Sequence, residues 1–404
     1  MVHQSVPACG RPFGTMGCFL IDGGTWNNRR GYGRFTRGVV EALGRVPSGH
    51  TWRLLVATSD PPLPLPPAPI EVVRVDVDVA PGAAATASGS RSLRDLWRFR
   101  SAARRSGADG IFFPTVYSWF PSGLPSITVI HDTIPESLPH LVFPNPAGRL
   151  LWTLKTRAAV AGASEIVTVS ESARKDVARR FGRPPESLTV VGEGFDPTVF
   201  HPRRDPRVKA EWRRRTGLRD DGLLLTTVGG LGPHKNLGVA IRACARLKAE
   251  GTPIALVIAG GGVGDHFHSE ARSLAELAET SGVARNTHFT GYLPDGELGD
   301  LLRAADALLF PSLLEGFGLP ALEALACGTP VVSSGRGALR EVTGPLAVEA
   351  DPSDIPAFVA AIRRAVDPEH AARIVVDGPS RAATFTWDAS ARALLPLFDE
   401  LARK

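Results

Sequence analysis

The chain has 404 residues, more than one hydrophobic core usually organises, so two domains are expected. Hydrophobic residues make up 43% and charged residues 22%, proportions of an ordinary globular protein with a normal core in each half. Forty-six basic residues against 41 acidic ones give a net charge of +5, too mild for a nucleic-acid partner but compatible with an anionic small molecule or an acidic membrane surface.

The first residues, MVHQSVPACGRPFGTMG, lack a basic segment followed by an apolar run, so no signal peptide is expected. Short runs rich in Val, Ile and Leu then alternate with amphipathic stretches, the signature of parallel βαβ units. The strands expected in the first half are 18–22, 52–57, 72–77, 110–113, 127–132 and 165–170. Helical segments fall at 34–46 and 149–163. PPLPLPPAP (61–69) reads as a stiff proline stretch and PGAAATASGS (81–90) as a loop. RSLRDLWRFRSAARR (91–105) is basic, with Leu93, Leu96 and Trp97 on one side. We expect a packed helix with a solvated arginine face, and contact with acidic lipid stays open.

At 191–206 the pattern breaks into VGEGFDPTVFHPRRDP, read as a linker. Alternation restarts with strands expected at 223–229, 254–260, 286–292, 307–312, 329–334 and 345–350. The tail 387–404 reads as an amphipathic helix built on Ala391, Leu394, Leu395, Phe398 and Ala402, with a kink or break expected at Pro396. Two α/β sheets in succession imply a cleft between them, with ligands at the carboxyl ends of the strands. The four cysteines form no metal or redox motif and point to a reduced, cytoplasmic compartment. No stretch of about 18 apolar residues occurs, so nothing is expected to span a membrane.

The most informative segment is LLFPSLLEGFGLPALEALACGTPVVSS (308–334). A buried strand ends near Pro311, a glycine-rich loop follows, and a helix starts near Leu319–Pro320, where proline suits the first turn. It runs to about Cys327, and Gly328 supplies the stop. The amides after Gly316, Phe317 and Gly318 are then unpaired and form an anion site that glycine lets a ligand approach closely. Glu315 and Glu323 bracket that helix end, placing a carboxylate on either side of a bound phosphate.

Glu315 and Glu323 enclose seven residues. With GFGLP between them and GTPVV after, this resembles the E-x7-E motif of family-4 glycosyltransferases. GYGRFTRGVVEAL (31–43), ITVIHDTIP (127–135), EIVTVSESARKDVARRFG (165–182), TVVGEGFDPTVFHP (189–202) and TTVGGLGPHKNLGVAIRA (226–243) extend the resemblance over nearly the whole chain. It implies the GT-B fold, an α/β architecture of two Rossmann-like domains facing a central cleft. Residues 1–202 would bind the acceptor and 203–385 the nucleotide sugar, with 386–404 a helix returning to the first domain. It also implies that Glu323 binds the donor ribose, that Glu315 lies by the transferred hexose, and that Gly316, Phe317, Gly318 and Leu319 offer backbone amides to sugar and phosphate. Lys235 matches the lysine that neutralises the diphosphate, and His131 a histidine near the hexose and the reacting centre. Gly33, Arg34, Gly229, Gly230 and Tyr292 complete the expected donor-binding set. The chain departs from the family at Gly230, where many members carry an arginine that Arg34 or His234 would have to replace, and at Glu193, where the family often has asparagine.

The one Asp-x-Asp, Asp76-Val77-Asp78, sits in an alternating strand and reads as two polar edge positions rather than a metal ligand pair. Lys235 and the helix N-terminus are expected to carry the leaving-group charge, with no metal and no cofactor beyond the sugar nucleotide. Retention of configuration is what the resemblance implies. The donor is expected to be GDP-mannose or UDP-glucose in type, and the acceptor a carbohydrate, a lipid-linked glycan or a natural product. Contact with the inner membrane face and a cytoplasmic location accompany this reading. Two alternatives stay open: a sugar phosphorylase or epimerase on the same scaffold, and a non-catalytic sugar-nucleotide or glycan-binding protein.

Overall fold

A computed structural model describes residues 16–58, 66, 69–78, 92–203, 205–261 and 270–403. Most of the proline run at 61–69, all of the small-residue run at 81–90 and residues 262–265 of the glycine-rich AGGGVGD run lie outside them. The chain forms two compact units. One comprises the described residues up to Pro139, Phe143–Gly194 and those from Thr386 on; the other is Phe195–Phe385 with His140–Val142.

The first unit holds seven parallel strands in the order β3-β2-β1-β4-β5-β6-β7: β1 Gly17–Asp22, β2 His50–Ala57, β3 Glu71–Val75, β4 Gly110–Phe113, β5 Ser126–Ile130, β6 Glu165–Thr168 and β7 Leu188–Val190. All six residues of β1, GCFLID, are buried, as a strand covered on both faces requires. On one face Leu20, Leu55 and Phe113 pack with Phe99 and Phe120. On the other, Phe19, Trp52 and Phe112 surround Phe398, with ring centroids 4.8, 4.8 and 5.8 Å away.

Phe398 belongs to the last helix, Trp387–Arg403, which packs on the Gly31–Arg45 helix. Gly38 makes that contact possible, since a Cβ there would lie 2.3 Å from the Trp387 ring. Of the kink or break expected at Pro396, the break does not occur: the helix runs on for 17 residues. Pro396 and Arg392, whose carbonyl loses its amide partner, are both exposed, so the missing bond falls on the solvent side of the helix while Leu394, Leu397, Phe398 and Leu401 stay buried.

The basic 91–105 segment is also corrected in orientation. The Leu93–Arg105 helix buries Asp95, Phe99, Ala102 and Ala103, and leaves Leu93 at 87% and Trp97 at 66% exposed. The strand β7, only three residues long, was not anticipated.

The second unit carries six parallel strands ordered β10-β9-β8-β11-β12-β13: β8 Leu223–Val228, β9 Ile254–Ala259, β10 Thr287–Gly291, β11 Ala307–Phe310, β12 Val331–Ser333 and β13 Val348–Glu349. Helices Gly238–Ala249 and Ile355–Ala365 close its core around Leu225, Leu256, Leu309 and Phe358. In both sheets the chain builds outward from the first strand, then returns to that strand's other side, so the loops there diverge. Such a reversal is where an open α/β sheet holds its ligand.

Candidate active site

In the second unit the reversal lies between β8 and β11, and both following loops carry charge toward it. After β8 the chain turns through Gly229–Gly232 into a short 3-10 turn, Pro233–Lys235, and leaves it through Asn236 in the left-handed region at φ 54°. After β11, Leu313 N–H donates to His234 O at 2.8 Å and Asn236 Nδ2 donates to Pro311 O at 3.4 Å, tying the two loops together. Across them Lys235 Nζ donates to Glu315 Oε1 at 2.6 Å. The two side chains are 16% and 9% exposed, so this is a nearly desolvated pair, and the ammonium also lies 5.4 Å from the Phe310 ring centroid.

The Glu315 backbone is held from behind. Ala338 N–H donates to Glu315 O at 3.0 Å, and a Cβ on Gly337 (φ 64°) would fall 2.3 Å from that oxygen. The loop Gly316–Gly318 then opens the Leu319–Ala326 helix, with Gly318 at φ 102° as N-cap and Cys327 and Gly328 closing it. Among the described residues the amides of Phe317, Gly318 and Leu319 donate no hydrogen bond to the protein, so three N–H groups stand at a helix start beside an ion pair. Glu323 sits five residues into a helix otherwise made of Leu, Pro and Ala and is 2% exposed. A carboxylate carried that far inward needs hydrogen-bonding partners.

Gly229, at φ 141°, packs so tightly on Gly260 that a Cβ on the latter would lie 2.1 Å from Gly229 O. Gly230 has open space beyond its Cα, and Tyr292 is 43% exposed at the end of β10. Lys235, Glu315, Gly316–Leu319, Glu323, Gly229, Gly230 and Tyr292 thus all fall in one unit, on loops and a helix that follow β8, β10 and β11.

His131, Gly33 and Arg34 fall in the other unit. His131 follows β5 and is 6% exposed. Its Nε2 lies 2.8 Å from Pro114 O and its Nδ1 3.1 Å from Glu193 Oε1, while Tyr32 and Phe35 meet the ring edge-on at 5.1 and 4.6 Å. Tyr32 Oη donates to Asp132 Oδ2 at 3.1 Å. Burial pushes the Tyr32 and Tyr117 hydroxyls well above their ordinary range and pushes the Glu136 carboxyl, which accepts from the Trp152 indole at 2.6 Å, up to about 7. Gly33 is fitted to its own loop, since a Cβ there would fall 1.7 Å from Asn28 O. Arg34 is half-buried in the first turn of the same helix.

With this geometry in view, residues 208–378 match the family model described as glycosyl transferases group 1, and residues 29–219 match glycosyltransferase family 4. The chain belongs to the family-4 glycosyltransferases. It is 33% identical over 288 residues to the D-inositol 3-phosphate glycosyltransferase of Stackebrandtia nassauensis, covering 69% of this chain and 63% of that one. To the enzyme of the same name from Acidothermus cellulolyticus it is 32% identical over 268 residues, 65% of this chain and 58% of that one. The chain therefore spans about three fifths of the length of the curated relatives it matches.

Among solved structures, sucrose-phosphate synthase from Thermosynechococcus elongatus superposes with a TM-score of 0.76 at 20% identity over 95% of this chain and 99% of that one. Anabaena HepE in complex with UDP-glucose gives 0.71 at 17% identity over 95% and 100%. At such identities the likeness is one of fold, and the fold is GT-B.

In this chain the carboxylates of the Asp-x-Asp serve the sheet edge. Asp76 Oδ1 accepts from Thr58 Oγ1 at 3.2 Å, and Asp78 pairs with Arg98 at 2.9 Å and Arg94 at 3.7 Å. Glu193 is the residue near a site group that the sequence marked only as a departure from the family. The signal that could have found it was an acidic side chain where an amide is usual. No described helix is long and apolar enough to cross a membrane.

Proposed function

We propose that this glycosyltransferase moves a hexose from a nucleoside-diphosphate sugar with retention of configuration, and that protein groups rather than a bound metal take up the leaving-group charge. The observation that carries the reading is the Lys235–Glu315 pair beside the open amides of Phe317, Gly318 and Leu319 at the β8/β11 reversal. As the sugar–phosphate bond breaks, the diphosphate gains negative charge. A cation already desolvated and held in place, next to aligned amides, stabilises that charge more than it stabilises the intact donor, which is what accelerates the step. The buried Glu323 supplies acceptors for ribose hydroxyls, Glu315 is assigned to the hexose, and Gly229, Gly230 and Tyr292 to the donor. His131 and Arg34 are assigned to the transfer site through family membership, and Gly33 to the shape of the loop that carries Arg34.

UDP- and GDP-hexoses are the donors of choice. A phosphorylated cyclitol is the first acceptor to test, suggested by what the relatives are called, followed by glycan, lipid-linked and natural-product acceptors. We place the enzyme in the cytoplasm. The exposed Leu93 and Trp97, flanked by Arg94 and Arg98, support contact with an acidic membrane surface.

A thermal-shift panel of sugar nucleotides, followed by transfer assays, identifies the donor, because binding to the native state raises the melting temperature. Glu323→Ala is expected to weaken binding of that donor by about 1–3 kcal/mol in calorimetry. Turnover is expected to survive EDTA. Unchanged affinity in the variant removes Glu323 from the donor site, and loss of activity on chelation that Mn²⁺ or Mg²⁺ restores overturns the metal-free reading.

A further inference from the structure

Four strand ends of the first unit meet at His131. The histidine follows β5, Pro114 follows β4, Glu193 follows β7, and Tyr32 and Phe35 belong to the helix after β1. A carbonyl oxygen only accepts, so the 2.8 Å contact with Pro114 O puts a proton on Nε2. The 3.1 Å contact between Nδ1 and Glu193 Oε1 then requires one further proton, shared between a ring nitrogen and a carboxylate oxygen. Both partners are 6% exposed, and a shared proton makes the pair neutral overall, which is how two ionisable groups can be buried together.

We infer that Glu193 is a positioning residue of the transfer reaction, holding that proton on Nδ1 so that His131 is fixed in orientation and positively charged. The inference rests on the assignment of His131 to the transfer site. With asparagine or glutamine in place of Glu193, a buried imidazolium would have no countercharge, and the ring would settle as the neutral Nε2–H tautomer. The carboxylate therefore decides whether the ring presents a charge or only a dipole.

The groups around the pair decide how its titration can be read. From the Gly31–Arg45 helix Tyr32 faces the ring, its hydroxyl bonded to Asp132, and Tyr117 lies against Tyr32 at 4.7 Å. Both hydroxyls are pushed well up by burial and stay neutral in any assay range. Burial lowers the Arg30 guanidinium, which lies near both tyrosines, from an ordinary value so high that it stays charged. Glu136, near Tyr117 and raised to about 7, titrates in the neutral range and needs its own comparator, Glu136→Gln.

The test pairs histidine ¹⁵N NMR with kinetics on the full chain, taking wild type, Glu193→Gln, Glu193→Asp and Glu136→Gln, with His131→Asn to assign the signal. Near pH 7 both His131 nitrogens of the wild type are expected to be protonated, and Nδ1 is expected to lose its proton in Glu193→Gln. Turnover of the identified donor is expected to fall about ten- to hundredfold in Glu193→Gln, the scale of one hydrogen bond to a charged group, with KM for the donor held. The alkaline limb of its pH profile is expected to move to lower pH, and Glu193→Asp to recover part of the loss. A merely structural Glu193 would lower stability without moving that limb. An unprotonated Nδ1 in the wild type overturns the inference without any substrate, and so does a Glu193→Gln enzyme with wild-type turnover and pH profile. The NMR arm needs no donor, so a failure of the donor assignment is seen separately, as a wild type that turns over no sugar nucleotide.

Discussion

Both sheets reverse direction after their third strand, yet the loops at the two reversals hold different chemistry. In the second unit, charge arrives on loops that glycine keeps bare: Lys235 and Glu315 face each other beside amides with no partner among the described residues. In the first unit the polar groups are threaded inward. His131, after β5, is bonded on both nitrogens, one of them to Pro114 O on the loop after β4, and is ringed by aromatic side chains, while Gly33 after β1 serves its own loop rather than open space. The shared strand order provides a place for a ligand twice, and what the loops leave unsatisfied is why the anion site is proposed in the second unit.

The largest test of that contrast is Lys235. Lys235→Ala is expected to cut turnover by about a hundredfold or more, the scale of one lost charge-stabilising donor. Lys235→Arg is expected to recover only part, because a planar guanidinium presents charge differently from a compact ammonium. The pairing seen here adds a sharper expectation. Glu315→Gln removes the internal countercharge, so the nucleoside diphosphate is expected to bind more tightly in calorimetry while turnover falls. If Glu315→Gln leaves diphosphate affinity unchanged, the pair is not what the diphosphate meets.

Gly33→Ala probes the first unit by the opposite logic. Its Cβ would overlap Asn28 O, so the substitution is expected to cost about 1–3 kcal/mol of stability in urea denaturation and to leave nucleotide affinity unchanged. A variant with wild-type stability and weakened donor binding would make Gly33 a ligand-approach glycine, and the two reversals would then be alike.

The same contrast explains what the sequence made legible. Glu315, the GFGLP turn and Glu323 are neighbours on one loop and helix, so a local pattern was enough to expect an anion site there, and the structure has the helix start at Leu319 as read. Buried strands such as IALVIA (254–259) announced themselves by continuous apolar character. The Lys235–Glu315 pair joins residues 80 apart, and His131–Glu193 residues 62 apart, and no local spacing encodes either. β7 was missed because LTV at a sheet edge is too short to show a period. That no break occurs at Pro396 was not legible, because propensity says nothing of which side of a helix faces water.

The smallest expected effect is a pH dependence within the first unit. Glu136 in the first unit has its carboxyl raised by burial from an ordinary 4.5 to about 7, with the Trp152 indole N–H pulling partly the other way. Between those values the folded chain holds a proton that the unfolded chain has released. Stability therefore falls as pH rises from about 4.5 to about 7 and is flat on either side, as far as this group is concerned. Glu136→Gln keeps an acceptor for the indole and removes the ionisation. The variant is expected to melt above wild type at pH 8 and to coincide with it near pH 4.5, in differential scanning calorimetry at matched ionic strength. The difference is expected to be modest, because Glu136 is only half-buried and solvent screens the cost of its charge. A stability difference between Glu136→Gln and wild type that does not change with pH would mean that burial does not raise the carboxyl in the folded state.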